Sequence, residues 1–170
     1  MAQINLEGNP IHTLGDLPAI HEKAPDFLLT QVDLTDVSLK NYKGKILLMN
    51  IFPSLDTDVC ATSVRRFNEM ASKMNNTRVL CISRDLPFAH KRFCTTEGIT
   101  HVISLSELRN NDFGVRYGVR IVDGPMAGLF ARSIVIIDTN GDVVYTQLVP
   151  EITDEPNYEA TLKALETMNK

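Results

Sequence analysis

The stretch KILLMNIFPSLDTDVCATSVRRF, Lys45 to Phe67, changes character twice. Its opening, KILLMNIF, is an apolar run of the kind found in a strand buried on both faces of a sheet. From Cys60 onward Val64, Phe67, Ala71 and Met74 recur at steps of three or four, which places them on one face of a helix that ends before Asn75 and Asn76. Between strand and helix stand Pro53, Thr57 and Cys60. Cys60 thus falls in the first turn of the helix, where unpaired backbone amides and the positive end of the dipole favour a thiolate over a thiol. Its polar neighbours Asp56, Thr57 and Asp58 lead to the expectation that the sulfur reaches solvent, with a hydroxyl three residues back.

Outward from this stretch, strands and helices alternate. INLEGNPIHTLG, with apolar alternation on both sides of a Gly-Asn-Pro turn, predicts a small N-terminal hairpin. APDFLLTQVDLTDVSLKNYKGK reads as a short strand and polar turns leading into the buried run. TRVLCIS is a second buried strand, and Asp85 with Pro87 can open a helix through FAHKRFC, aspartate as the cap and proline in the first turn. THVISLS is a third strand. RSIVIIDTNGDVVYTQL is a hairpin in which Asn140 and Gly141 would supply the positive φ angles of a two-residue turn. DEPNYEATLKALETMNK closes the chain as a helix whose apolar face runs through Tyr158, Leu162, Leu165 and Met168. This order predicts an α/β chain with a central mixed sheet flanked by helices, the layout of a thioredoxin-like fold with an added N-terminal β-hairpin. At 170 residues, 44% of them hydrophobic, one domain over 1–170 is expected.

Composition narrows the function. A formal net charge of −4, with Lys and Arg scattered, offers no basic surface for a phosphate backbone, so no nucleic acid is expected as partner. No stretch has the length of a membrane span, and MAQINLEGNPIHTLG lacks the pattern of a signal peptide; a cytoplasmic protein is expected. Three cysteines, Cys60, Cys81 and Cys94, form an odd set that argues against a structural disulfide framework. Cys81, inside VLCIS, reads as core packing, whereas Cys94 follows the amphipathic HKRF and is expected to be exposed on one side. A dithiol oxidoreductase would place two cysteines two residues apart, and here none are closer than thirteen positions. A zinc domain recruiting His90 or His101 would need paired ligand spacing that is absent from the sequence. His12, His21, His90 and His101 share no motif with Cys60 and read as surface or packing residues.

PSLDTDVC fits the Pro-x-x-x-Thr-x-x-Cys signature of peroxiredoxins, and the wider pattern, with Cys94 thirty-four positions beyond Cys60, resembles the bacterial thiol peroxidase subfamily. The resemblance extends to INLEGNPIHTLG and to GPMAGLFARS late in the chain. It implies that Cys60 is the peroxidatic cysteine, Cys94 the resolving cysteine of the same chain, Thr57 its hydroxyl partner, Pro53 the residue that shapes and shields the pocket, and Arg132 the distant arginine. It implies a hydroperoxide substrate, thioredoxin as reductant, a homodimer, and no metal, flavin or nicotinamide. A non-catalytic partner-binding or redox-sensing domain is the alternative, separated by an assay for peroxide consumption.

The residue types suit that chemistry. Cleaving an O–O bond needs a nucleophile and donors that meet charge developing on the leaving oxygen. An arginine offers fixed N–H donors, a threonine a hydroxyl on a stiff stem, and a proline a backbone without a donor. The apolar PMAGLF near Arg132 points toward alkyl or lipid hydroperoxides. The sulfenic acid left on Cys60 must be trapped by a second thiol before further oxidation. If the two cysteines sit in separate helices, helix ends must unwind for them to meet, because a disulfide needs Cα atoms within about 7 Å.

Overall fold

The computed structural model describes residues 1–168. Two short strands, β1 (Gln3–Leu6) and β2 (Asn9–His12), pair antiparallel as the expected hairpin. Its turn is formed by Glu7 and Gly8, both at positive φ, and Asn9 and Pro10 already belong to β2. The Gly-Asn-Pro reading misplaced the turn because Pro10, at a hairpin edge, donates no amide and is tolerated inside the strand.

The main sheet is built from β3 (Leu29–Gln31), β4 (Asp36–Val37), β5 (Ile46–Ile51), β6 (Thr77–Ser83), β7 (Ile103–Ser106), β8 (Ser133–Ile137) and β9 (Val143–Leu148). Their order is β4-β3-β7-β6-β5-β8-β9, with β5, β6 and β7 parallel and the remaining pairings antiparallel. The apolar run of the opening stretch is interior: all six residues of β5 are buried. Alternation divides them between two cores. Leu47, Met49 and Ile51 pack with Phe27, Phe113, Tyr117 and Phe130. Ile46 and Leu48 join Phe52, Cys60, Val64, Phe67 and Leu165 on the other side.

That second core lies under three helices, α1 (Asp58–Ala71), α2 (Pro87–Glu97) and α4 (Tyr158–Met168); the short α3 (Asp112–Arg116), which the sequence pattern did not reveal, packs on the first core. Helix α1 stops at Ala71, one turn short of Met74. In α4 the buried positions are Thr161 and Leu165, and Leu162 is exposed, so the helix turns a slightly different face inward than Tyr158–Leu162–Leu165 spacing implied. The expected helix end at Asn169 and Lys170 lies outside the described residues. The β8–β9 turn is longer than two residues: Asp138 Oδ1 accepts from the amides of Asn140 and Asp142, and Gly141 alone within it has positive φ. The aspartate side chain there does the work assigned to Asn140.

The hairpin is tied to the main body near the start of β8. Ile152 N donates to Asn5 O at 2.9 Å and Asn5 N to Pro150 O at 2.7 Å, while Ile4, Ile11, Ile121, Ala131 and Ile152 form a small core of their own.

One close approach constrains the loop after α3. Gly118 has φ +70, and a Cβ there would collide with the carbonyl of Asp16. Both the left-handed backbone and the contact forbid a side chain. Gly118→Ala is expected to lower unfolding free energy by about 3 kcal/mol, measured by urea titration, whereas a change within about 0.5 kcal/mol would show that the loop can move aside.

Candidate active site

The register of β5 against β8 assembles the site. Ile51 lies opposite Ser133, so Arg132, the residue before β8, stands beside the end of β5, where Phe52 and Pro53 lead into the loop before α1. Thr57 is the N-cap residue of α1, in extended conformation. Its Oγ1 does not cap the helix; it donates to Ser54 O at 3.0 Å. No side chain caps α1, so the amides of its first turn, where Cys60 sits, keep no side-chain partner.

Arg132 Nη1 donates to Cys60 Sγ at 3.3 Å. The rest of the guanidinium is fixed by a single acceptor, since Nε and Nη2 both donate to Ile152 O at 3.0 and 2.9 Å. Arg132 is 2% exposed and takes part in no ion pair among the described residues. Such a buried cation is costly unless something nearby can balance it, and the Cys60 sulfur is the adjacent group able to become an anion. The structure corrects one expectation here: Cys60 does not reach solvent but is 0% exposed. It is buried in one apolar cluster with Phe52, Leu55 and Val64, an effect of tertiary packing that its polar neighbours Asp56, Thr57 and Asp58 concealed. Pro53 is buried and Thr57 half-buried at the same site.

Cys94 is carried by a different helix, α2, and its sulfur has a different partner. It sits near the C-terminal end of α2, half-buried, with Sγ 3.3 Å from Ser104 Oγ of β7. Burial pushes its thiol upward, partly offset by the Ser104 hydrogen bond. Beside it an open cavity of about 490 Å³ is lined by Lys91, Thr95, Gly98, Val102 and Ser104. Cys81 is fully buried, accepts a long hydrogen bond from Asn50 Nδ2 at 3.8 Å, and is pushed up to about 12 by burial. All three thiols are free. Thus Pro53, Thr57, Cys60 and Arg132 share one site, while the sulfur of Cys94 is engaged with Ser104.

Comparison with known proteins identifies the family. The Redoxin family model matches residues 19–162. Over 165 residues the chain is 58% identical to the thiol peroxidases of Mycobacterium tuberculosis and Mycobacterium bovis, covering 97% of this chain and 99% of each relative. The chain belongs to the Redoxin family and, within it, to the thiol peroxidases. A solved peroxiredoxin-like protein from Aquifex aeolicus is similar at a TM-score of 0.93 and 38% identity, covering 99% of this chain and 98% of that one. A thiol peroxidase structure from Chromobacterium violaceum, at 23% identity, shares the fold with a TM-score of 0.91 over 100% of this chain and 99% of its own.

Around the site of this thiol peroxidase chain runs a polar network that sequence reading missed. Asp85 does not cap α2, whose N-cap is Leu86 without a side-chain bond; Pro87 is in the first turn as expected. The Asp85 carboxylate instead accepts from Ser54 Oγ at 2.8 Å, Leu55 N at 2.8 Å and Ser83 Oγ at 2.6 Å. His90 Nε2 lies 3.0 Å from Ser83 Oγ, and burial pushes the imidazole down to about 4. The signal available in the sequence was the Ser-x-Asp pair at Ser83 and Asp85 where a strand ends, ambiguous because aspartate before Pro87 equally suits a cap.

Proton counting on His90 yields a stability prediction. The unfolded ring protonates near 6.5 and the folded ring near 4, so between them the unfolded state binds more protons and stability falls with falling pH. At pH 5 this contributes a loss of roughly 2 kcal/mol relative to pH 7. Urea unfolding of His90→Gln at the two pH values should show a correspondingly smaller loss than wild type; equal losses would place the acid sensitivity elsewhere.

Proposed function

We propose that this thiol peroxidase chain reduces hydroperoxides with Cys60 as the attacking sulfur, and the observation that carries the reading is the 3.3 Å contact from the buried Arg132 Nη1 to Cys60 Sγ at the open first turn of α1. The Cys60 thiolate attacks one peroxide oxygen; the O–O bond breaks, the sulfur becomes a sulfenic acid, and the other oxygen takes a proton and leaves as water or an alcohol. Arg132 directs its Nη1 hydrogens toward sulfur and substrate, and the anchoring of Nε and Nη2 on Ile152 O means that little reorganisation accompanies the charge shift. The free lone pairs of Thr57 Oγ1, whose proton is committed to Ser54 O, suit it to accept the peroxide hydrogen. Pro53, buried and without an amide donor, limits water at the sulfur.

Cys94 then condenses with the sulfenic acid: its S–H proton and the Cys60 hydroxyl leave as water, and an S–S bond forms within the chain. Since Cys94 Sγ is held by Ser104 and Cys60 is fully buried, we read turnover as including local unwinding of the loop before α1 and of α2. An external dithiol, thioredoxin in our reading, reduces the bridge by exchange and is itself oxidised. The open cavity beside Cys94 supports approach from that side. The substrate class is proposed to include hydrogen peroxide and alkyl or lipid hydroperoxides. The apolar PMAGLF segment contributes less than its composition suggested, because Phe130 is buried in the opposite core and Pro125 and Ala127 remain exposed. We further read the chain as one domain acting as a cytoplasmic homodimer; no helix among the described residues is long and apolar enough to cross a membrane.

Cys60→Ser should abolish peroxide consumption in a coupled assay with thioredoxin and its reductase; sustained turnover would end the assignment. Cys94→Ser should complete one turnover and stall, accumulating sulfenic or sulfinic Cys60 by mass spectrometry, while peroxide-treated wild type shows a Cys60–Cys94 bridge within one chain. A bridge to Cys81 or between chains would contradict the resolving step. Cys81→Ser should retain near-normal activity and lose about 1 kcal/mol of stability, since its sulfur is buried in the core with Asn50 as its hydrogen-bond partner.

A further inference from the structure

The loop that delivers Cys60 and the helix that carries Cys94 meet at one half-buried carboxylate. Asp85, in the turn between β6 and α2, reaches across to the loop, where Ser54 Oγ and Leu55 N both donate to it at 2.8 Å. On its other side Ser83 Oγ is 2.6 Å from Asp85 Oδ2 and 3.0 Å from His90 Nε2. The protons in this chain are determined by elimination. A carboxylate only accepts, so the Ser83 hydroxyl hydrogen points to Asp85. The His90 ring, neutral because burial holds it near 4, must therefore carry its hydrogen on Nε2 and donate to Ser83. Nδ1 is then a lone-pair acceptor, and it is buried with no partner. His90 lies one helical turn before Cys94 in α2. Two exposed ion pairs, Arg92 with Asp56 and Arg65 with Glu97, also span this boundary, but pairs in water hold little.

We infer that Asp85, Ser54, Ser83 and His90 form a latch that holds the Cys60 loop and the Cys94 helix closed on each other, so that one network sets how often the sulfenic acid is trapped as a disulfide rather than oxidised further. The latch rests on the roles proposed above for Cys60 and Cys94. Its four residues are positioning residues: they touch neither sulfur. The closed state keeps charge-assisted hydrogen bonds to Asp85 that opening must break. Opening, in turn, gives the unpaired His90 Nδ1 access to water, which favours release. The two opposed tendencies make the closed form firm enough to attack peroxide and loose enough to open each cycle.

From the sulfenic acid two products diverge. Condensation with the Cys94 thiol expels water and forms the bridge; a second hydroperoxide instead transfers an oxygen to give the sulfinic acid and is itself reduced to water or alcohol. The ratio of bridge to sulfinic acid after a peroxide pulse therefore reads opening, downstream of the first attack. Rapid quench with thiol alkylation and intact-mass analysis should be run on wild type, Asp85→Asn, Ser54→Ala, Ser83→Ala and the double serine variant. Asp85→Asn should raise the ratio by roughly three- to tenfold, the change in an opening equilibrium expected from weakening a charge-assisted hydrogen bond. Each serine variant, which removes a single small hydroxyl from one end, should raise it less. The double variant should fall short of the product of the two single effects, because both ends act through one carboxylate. An unchanged or lowered ratio in Asp85→Asn, or serine effects that multiply fully, would overturn the latch while leaving the peroxidase reading intact. Absence of any Cys60–Cys94 bridge in wild type would overturn both.

Discussion

A guanidinium cation held out of water against a sulfur is the constraint on which the rest of this molecule depends. Arg132 and Cys60 are far apart in sequence, and their 3.3 Å contact exists because β8 pairs antiparallel with β5 in a register that sets Ser133 opposite Ile51. A slip by one residue would turn Arg132 toward the other face of the sheet. The apolar run from Ile46 to Ile51 is thus more than a core strand; its two-sided burial locks the register that aims the arginine. The N-terminal hairpin belongs to the same device, since Ile152, whose carbonyl holds two of the guanidinium nitrogens, is itself bonded to Asn5.

The second level of organisation is polar and sits under the helices. Asn50, in an otherwise apolar strand, donates to Ser63 Oγ, and Ser63 Oγ donates to Cys60 O, so α1 is pinned to the sheet at the turn that carries Cys60. Asn50 Oδ1 is left without a partner. Polar residues in such a core reduce stability relative to apolar packing, and here they lie beneath the helix that carries Cys60.

Much of the fold was legible because it rests on local patterns. The run ILLMNI, the helical spacing of Val64 and Phe67, and the strands TRVLCIS and THVISLS depend on period and composition, and each appears where those signals place it. The cysteine at the strand-to-helix junction was legible for the same reason. What escaped were features decided by distant contacts. Cys60 is buried through the cluster it shares with Phe52, Leu55 and Phe67, Asp85 was equally suited to cap α2 or to reach back to Ser54, and α3 is only five residues long. The β8–β9 turn went astray locally, because Asp138 offers its side chain to two amides and relieves Asn140 of a positive φ. For Asp85 the side chain had two chemically reasonable partners, and the tertiary structure chose.

The central claim, that the buried fork of Arg132 acts on the chemistry at Cys60 and not only on its packing, is tested most directly by stopped-flow measurement of the first peroxide turnover in Arg132→Lys. Lysine keeps the positive charge but loses the planar fork that simultaneously grips Ile152 O and reaches the sulfur. The account predicts a second-order rate lower by about 10²- to 10³-fold with the fold retained by circular dichroism. A folded variant that attacks peroxide at the wild-type rate would contradict it.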